Sequence, residues 1–190
     1  MVFLERLKSM LNHVQTAIRE LPSRARVGLA LTSAERALAS LADFPDVCSL
    51  GYRGLEDAWR WVDSTAGRSL DLYNQIDPLA FASTDLAADT TQHNAVLAVV
   101  SALYYAAGEI ATYETPENAH QLFSPLGSDM ADVGSEDLVE CLERAADSAM
   151  DVEAEIQWQQ KLIDRLLSDF HTVDPYQPGS SIRRDYFLIR

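Results

Sequence analysis

Cysteine is scarce: Cys48 and Cys141 are the only two and lie far apart in the chain. That excludes a Cys-ligated zinc site or an iron–sulfur cluster, offers no disulfide scaffold, and fits a reducing compartment. Eight glycines and seven prolines in 190 residues are too few for a fibrous or low-complexity chain. No segment sustains the two-residue apolar alternation of a half-buried strand, and neither a repeat nor a linker is visible. Long apolar runs are missing as well. The longest uncharged stretch, Thr90 to Gly108, contains Gln92, His93, Asn94 and Ser101, which leaves an apolar segment too short for a bilayer and predicts a buried core helix. Glu5, Arg6 and Lys8 interrupt the apolar run that a secretory signal requires, so a cytoplasmic location is expected. Most telling, there is no Lys or Arg from Ser69 to Glu143.

What is present fits a single globular domain spanning 1–190, with 47% hydrophobic and 23% charged residues. Lys and Arg number 15 against 29 Asp and Glu, a net charge of −14, which disfavours binding to nucleic acid or to an anionic membrane. The excess is local. Ser69 to Gln160 holds 17 acids and one base, Arg144, whereas the rest of the chain has 14 bases and 12 acids.

Apolar spacing of three and four residues predicts an all-α bundle. Phe3, Leu4, Leu7, Leu11, Val14 and Ile18 mark a first helix ending before Pro22. A second follows Ser23, with Val27, Leu31, Ala34, Leu38 and Leu41 on one face, and stops at Phe44-Pro45. Two short helices are expected at Gly54 to Val62, carrying Trp59 and Trp61, and at Ser69 to Ile76, ended by Asp77-Pro78. Trp59 and Trp61 are two residues apart and cannot share a helix face, so at least one is expected in the core. Ala95 to Tyr113 reads as the central helix, and Glu114 to Gly134 as a long connection. Leu138, Leu142, Ala145, Ala149, Val152, Ile156, Ile163 and Leu166 predict one long late helix from Leu138 to Phe170, lapsing only at Gln159, with Ser135 as its cap. The irregular tail ends in Asp185-Tyr186-Phe187-Leu188-Ile189, which can dock back on the body.

On that late helix Glu136, Glu140, Glu143, Asp147 and Asp151 fall opposite the apolar stripe, with Glu155 continuing the series. Like charges four apart each cost about 0.2–0.5 kcal/mol, so the ridge serves either solubility or a cationic partner. Trp158 falls near it, as an interface anchor or as a residue covered by a neighbouring helix. A second candidate surface is the acidic connection with Glu114, Glu117, Asp129 and Asp132.

Catalytic and metal motifs are missing. Glu117 and His120 have Glu-x-x-His spacing, but a helical di-iron site needs a second such pair, and none of His13, His93 and His171 has a Glu three residues before it. There is no His-Glu-x-x-His, no Gly-x-Ser-x-Gly and no phosphate-binding glycine loop. We therefore expect no enzyme activity, no cofactor and no metal.

Four segments carry a family resemblance: Ala30 to Pro45 with its Ala34-Glu35-Arg36 centre, the Leu-x-x-Ala-Trp-x-Trp of Leu55 to Trp61, Asn94 to Tyr113, and Ile182-Arg183-Arg184-Asp185-Tyr186-Phe187. Together the chain resembles the all-helical Imm-type immunity proteins of bacterial polymorphic-toxin systems, whose toxins are of the Rhs, contact-dependent or type VI kind. The resemblance implies a non-enzymatic inhibitor that binds one cognate toxin domain in the cytoplasm and occludes its active site or substrate groove. A toxin that attacks nucleic acid, a nuclease, needs a cationic groove, and an acidic ridge suits it as a phosphate mimic. The alternatives are a small helical carboxylate-rich enzyme or metal protein, and an acidic adaptor or chaperone for a secreted basic effector.

Overall fold

The computed structural model describes residues 16–64, 68–113, 135–174, 177–179 and 181–188. After a helical turn at 16–19, whose Ile18 is fully buried, Pro22 places extended backbone ahead of helix α1, Ser23–Ala37. A 3-10 turn, Leu38–Leu41, prolongs α1. Then come α2, Pro45–Ser64; α3, Ser69–Ser83; α4, Thr91–Ala111; α5, Ser135–Asp147; α6, Val152–Phe170; and a 3-10 turn, Arg184–Phe187. The architecture is all-α. The rest of the expected first helix, the connection from Glu114 to Gly134 and Ile189 lie outside the described residues.

α4 is the hub of the bundle: it packs against α3, α5, α1 and α2. α1 packs in turn on α5 and α2, and α6 lies against α5 and α1. The expected stripe of α1 is buried in full: Val27, Leu31, Ala34, Leu38 and Leu41. So is most of the rest of the helix, because Ala25, Gly28, Ala30, Ser33 and Ala37 are small enough to let neighbours close in from other sides. α4 begins with Thr90 accepting a hydrogen bond from the His93 amide, and its alanines admit α1, α2, α3 and α5 at close range. At 21 residues α4 is long and apolar enough to cross a membrane, which corrects the expectation that its apolar segment is too short. Its side chains are spent on the core instead, with 72% of its most apolar window buried.

Three helix boundaries differ from the sequence reading. α2 is a 20-residue helix, not a short one from Gly54. Pro45 opens it, where a missing amide costs nothing, and Gly54 marks a close approach, since a Cβ there would lie 2.7 Å from Leu103 Cδ1 of α4. α3 runs through Pro78 to Ser83. Pro78 is exposed, so its ring meets solvent, and the burial of Leu72, Ile76 and Leu79 on the opposite side outweighs a proline cost of about 3 kcal/mol.

The expected long late helix is two helices, broken at 148–151. The buried Ser148 donates to the Ala145 carbonyl at 2.7 Å, and its own carbonyl accepts from Ser40 Oγ at 2.6 Å, pinning the elbow to the turn after α1. Asp151 then caps α6 by accepting the Ala154 amide at 3.0 Å. Gln159, the lapse in the apolar pattern, is buried and donates to the Leu142 carbonyl at 3.1 Å, tying α6 to α5.

The tail docks as expected. Ile182 and Phe187 are buried, and Phe187 tilts against Trp59 with ring centroids 5.5 Å apart. Trp59 and Trp61 are both buried, on different sides of α2. Phe187 reaches α1 only because residue 28 is glycine: a Cβ there would fall within the ring. Gly28→Ala is therefore expected to lose about 1–3 kcal/mol in denaturant unfolding. The same change in a Phe187→Ala background should cost much less; equal costs in the two backgrounds would disprove the contact.

Candidate functional site

Helix α1 is almost wholly buried yet carries Arg24, Arg26, Glu35 and Arg36, and the last three are each matched by a different part of the chain. Arg26 grips Glu109 of α4 through two bonds of 2.9 Å, Nε to Oε1 and Nη2 to Oε2. Its Nε also donates to Tyr105 Oη at 3.1 Å and Nη2 to Ser23 Oγ at 3.1 Å, while Nη1 donates to the Leu21 carbonyl. Tyr105 in turn donates to Glu109 Oε1 at 2.5 Å. Burial, reinforced by the Glu109 charge, lifts the Tyr105 hydroxyl well above its ordinary pKa, so it stays a donor. Burial works against the Arg26 charge, but its bond to Glu109 more than offsets this and holds the guanidinium protonated.

Arg36 meets Glu155 of α6, with Nη2 2.7 Å and Nε 2.8 Å from Oε2, and lies 4.1 Å from the centre of the Trp158 ring. Glu35 accepts from Trp59 Nε1 at 2.8 Å and from Arg184 Nη2 at 2.6 Å. Arg184 also donates through Nη1 to Glu56 at 2.6 Å and through its backbone amide to Asp63 at 2.7 Å, and it sits 5.3 Å from the Trp59 ring centre. Glu35, Arg36, Trp59, Arg184 and Phe187, which belong to the segments carrying the family resemblance, are thus spent on fastening α2, α6 and the tail to α1.

The candidate surface residues sort accordingly. Glu136, Glu140, Glu143 and Asp147 share the outward side of α5, with Glu136, Glu140 and Asp147 exposed. Arg144 answers Glu140 at 3.7 Å. Asp151 leaves the ridge because the helix breaks there and it serves as a cap. Glu155 is only 5% exposed and holds Arg36, and Trp158, half-buried against the same arginine, is covered rather than presented. Glu114, Glu117, His120, Asp129 and Asp132 lie outside the described residues. Among the described residues no group of three or more His, Cys, Asp or Glu side chains is placed to hold a metal ion. Buried Cys141 donates to the Ala98 carbonyl at 3.5 Å, and desolvation raises its thiol pKa far above the ordinary value, which makes it a poor nucleophile.

Charge is shared unevenly among the helices. α3 and α5 carry Asp71, Asp77, Glu136, Asp137, Glu140, Glu143 and Asp147 with Arg144 as the one base on these two helices, whereas on α1, α2 and α6 nine acids are nearly balanced by seven bases, Arg24, Arg26, Arg36, Arg53, Arg60, Lys161 and Arg165. Sequence reasoning located the acids but missed the outward stripe of α3, Asp71, Asn74, Asp77, Pro78 and Phe81, because it ended that helix at Pro78. Comparison with protein-family models, with curated proteins and with solved structures finds no match to this chain.

Two stability tests follow from the ion pairs. Glu109→Ala leaves Arg26 buried without its countercharge and should cost about 3–5 kcal/mol, whereas Glu140→Ala, in an exposed pair, should cost about 0–1 kcal/mol. Similar midpoints for the two variants in urea would refute the assignment. Burial, the largest influence on Glu35, lifts its carboxyl above the usual range although Arg184 and Trp59 pull it down. The folded state then holds this proton more tightly than the unfolded chain, where the pKa is about 4.3. The contribution is complete below that value and is lost as pH rises through the higher native value. Relative to Glu35→Gln, the native protein should lose stability with rising pH across that window; a constant difference would contradict the shift.

Proposed function

We propose that this chain is an immunity protein that binds a cognate secreted bacterial toxin domain with a cationic surface, such as a nuclease, and neutralises it in the cytoplasm without catalysis. The observation that carries the reading is the concentration of acids on α3 and α5. From Ser69 to Gln160 only Arg144 opposes 17 acids, and the exposed Glu136, Glu140 and Asp147 of α5 all point away from the core. The protein does not lack arginines to soften this field; it spends Arg26, Arg36 and Arg184 on partners that hold helices together. Like charges stand four apart along α5, Glu136 with Glu140 and Glu143 with Asp147, a spacing that costs a helix about 0.2–0.5 kcal/mol for each pair. A basic groove that normally holds a phosphate backbone is the surface such a field complements, and opposite potentials accelerate encounter and reject wrong partners. The resemblance to Imm-type immunity proteins supports the same reading.

The test is co-expression with the product of a neighbouring toxin-like gene, scored by host survival and by recovery of a one-to-one complex. Protection with a stable complex is the expected result. Death of the host with nothing co-purified would overturn the pairing, and a complex without protection would favour an adaptor for a basic effector. Association should slow steeply with added salt, and Glu136→Lys with Asp147→Lys should slow it by at least about tenfold while leaving helix content unchanged. An association rate indifferent to salt would remove the electrostatic part.

A further inference from the structure

Phe81 is the large apolar side chain that the fold leaves most conspicuously unused on a regular helix. It is 74% exposed in the last turns of α3, although Leu79, two residues earlier, is 1% exposed and Ala80 and Ala82 are half-buried. Its backbone is not loose. The Phe81 carbonyl accepts from Thr84 Oγ1 at 2.7 Å and from the Thr84 amide at 3.0 Å, the Ala80 carbonyl accepts from Ser83 Oγ at 2.6 Å, and the Asp85 amide donates to the Ala82 carbonyl at 3.4 Å. The helix end that carries the ring is therefore ordered, so little backbone freedom remains to be lost on binding.

Its neighbours specify what covers it. Pro78, exposed one turn earlier, extends the apolar area; Asp77, four residues before Phe81 on the helix, is exposed, and so is Asp85 in the turn that follows α3. The last turn of α3 has no basic residue, so the partial negative charge of the helix C-terminus adds to the two carboxylates instead of being offset. Symmetric pairing of this face with itself is disfavoured, because it brings Asp77 and Asp85 against their own kind, and an anionic membrane is disfavoured for the same reason. We propose that the Pro78–Phe81 face of α3 is the anchoring contact for the cationic partner protein: Phe81 enters an apolar pocket whose Lys or Arg rim pairs with Asp77 and Asp85.

This assignment rests on the immunity reading and divides its labour. The α5 acids act at a distance and set the association rate, whereas a buried aromatic anchor sets the dissociation rate. With a toxin that the native protein neutralises, Phe81→Ala should raise the dissociation rate on the order of 30-fold, as expected for an interface hot spot, with the association rate and melting temperature unchanged. A native protein that binds no toxin counts against the immunity reading; a native protein that protects, with Phe81→Ala dissociating just as slowly, overturns the anchor alone.

A second measurement needs no toxin. The isotopically labelled protein is titrated with a short amphipathic Leu–Lys peptide and, separately, with a Ser–Lys peptide of equal charge. Amide shifts at α3 around Phe81 with the first peptide, weakened at least about tenfold with the second and in Phe81→Ala, are the expected result. Shifts confined to α5, equal binding of the two peptides, or no effect of Phe81→Ala would each overturn it.

Discussion

The structure depends on one constraint: a helix that is buried almost all round carries four ionisable side chains, Arg24, Arg26, Glu35 and Arg36, and the last three each form an ion pair with a different part of the chain. Arg26 finds Glu109 on α4, Arg36 finds Glu155 on α6, and Glu35 finds Arg184 on the tail. Leu31 or Leu38 is satisfied by any apolar neighbour of suitable shape, because apolar burial has no direction. Arg26 is not, since its planar fork needs two carboxylate oxygens in line and its remaining protons need Tyr105, Ser23 and the Leu21 carbonyl. Desolvating these charges offsets much of what their pairing contributes, so their role here is better described as setting register than as adding stability. α1 accepts one arrangement of α4, α6 and the tail.

That constraint shapes the outside as well. Arg26, Arg36 and Arg184 each satisfy a specific acid, and the ring faces of Trp158 and Trp59 lie against Arg36 and Arg184. The acids of α3 and α5 have no share in this. They lie in the stretch of chain where Arg144 is the one cation, and α3 and α5 both pack on α4 with their acids turned outward. An imbalance along the sequence becomes an imbalance on the surface because consecutive helices pack as neighbours.

Much of the fold was legible in the sequence, and the failures have physical causes. Three- and four-residue spacing identifies the buried stripe of α1, the apolar α4 and the inner faces of α5 and α6, since burial is what imposes that spacing. Gly54 and Pro78 mislead because glycine and proline weaken an isolated helix, whereas here close packing against Leu103 and an exposed outer face reverse their meaning. The break at 148–151 escapes notice because the apolar spacing runs on across it through Ala149 and Val152. Its polar signals, Ser148 and the capping Asp151, read equally well as surface residues. The same break decides the site: Glu136 to Asp147 were recognisable, while Glu155 and Trp158 required knowing that Arg36 of a distant helix stands against them.

The placement of acids around exposed apolar groups has a further consequence. An uncovered phenylalanine invites nonspecific association, and soluble proteins guard such positions with charge. Asp77 and Asp85 do this for Phe81, and on another surface Asp147 and Asp151 flank the exposed Met150 at the elbow. Repulsion is indiscriminate toward anionic surfaces, which include other copies of this chain, nucleic acid and anionic membranes, and it turns to attraction only when the approaching surface is basic. In the proposed complex the charges that keep Phe81 from anionic surfaces are the same charges that would admit a basic one. Selectivity of this kind needs no dedicated recognition loop, only an apolar group whose neighbours all carry one sign.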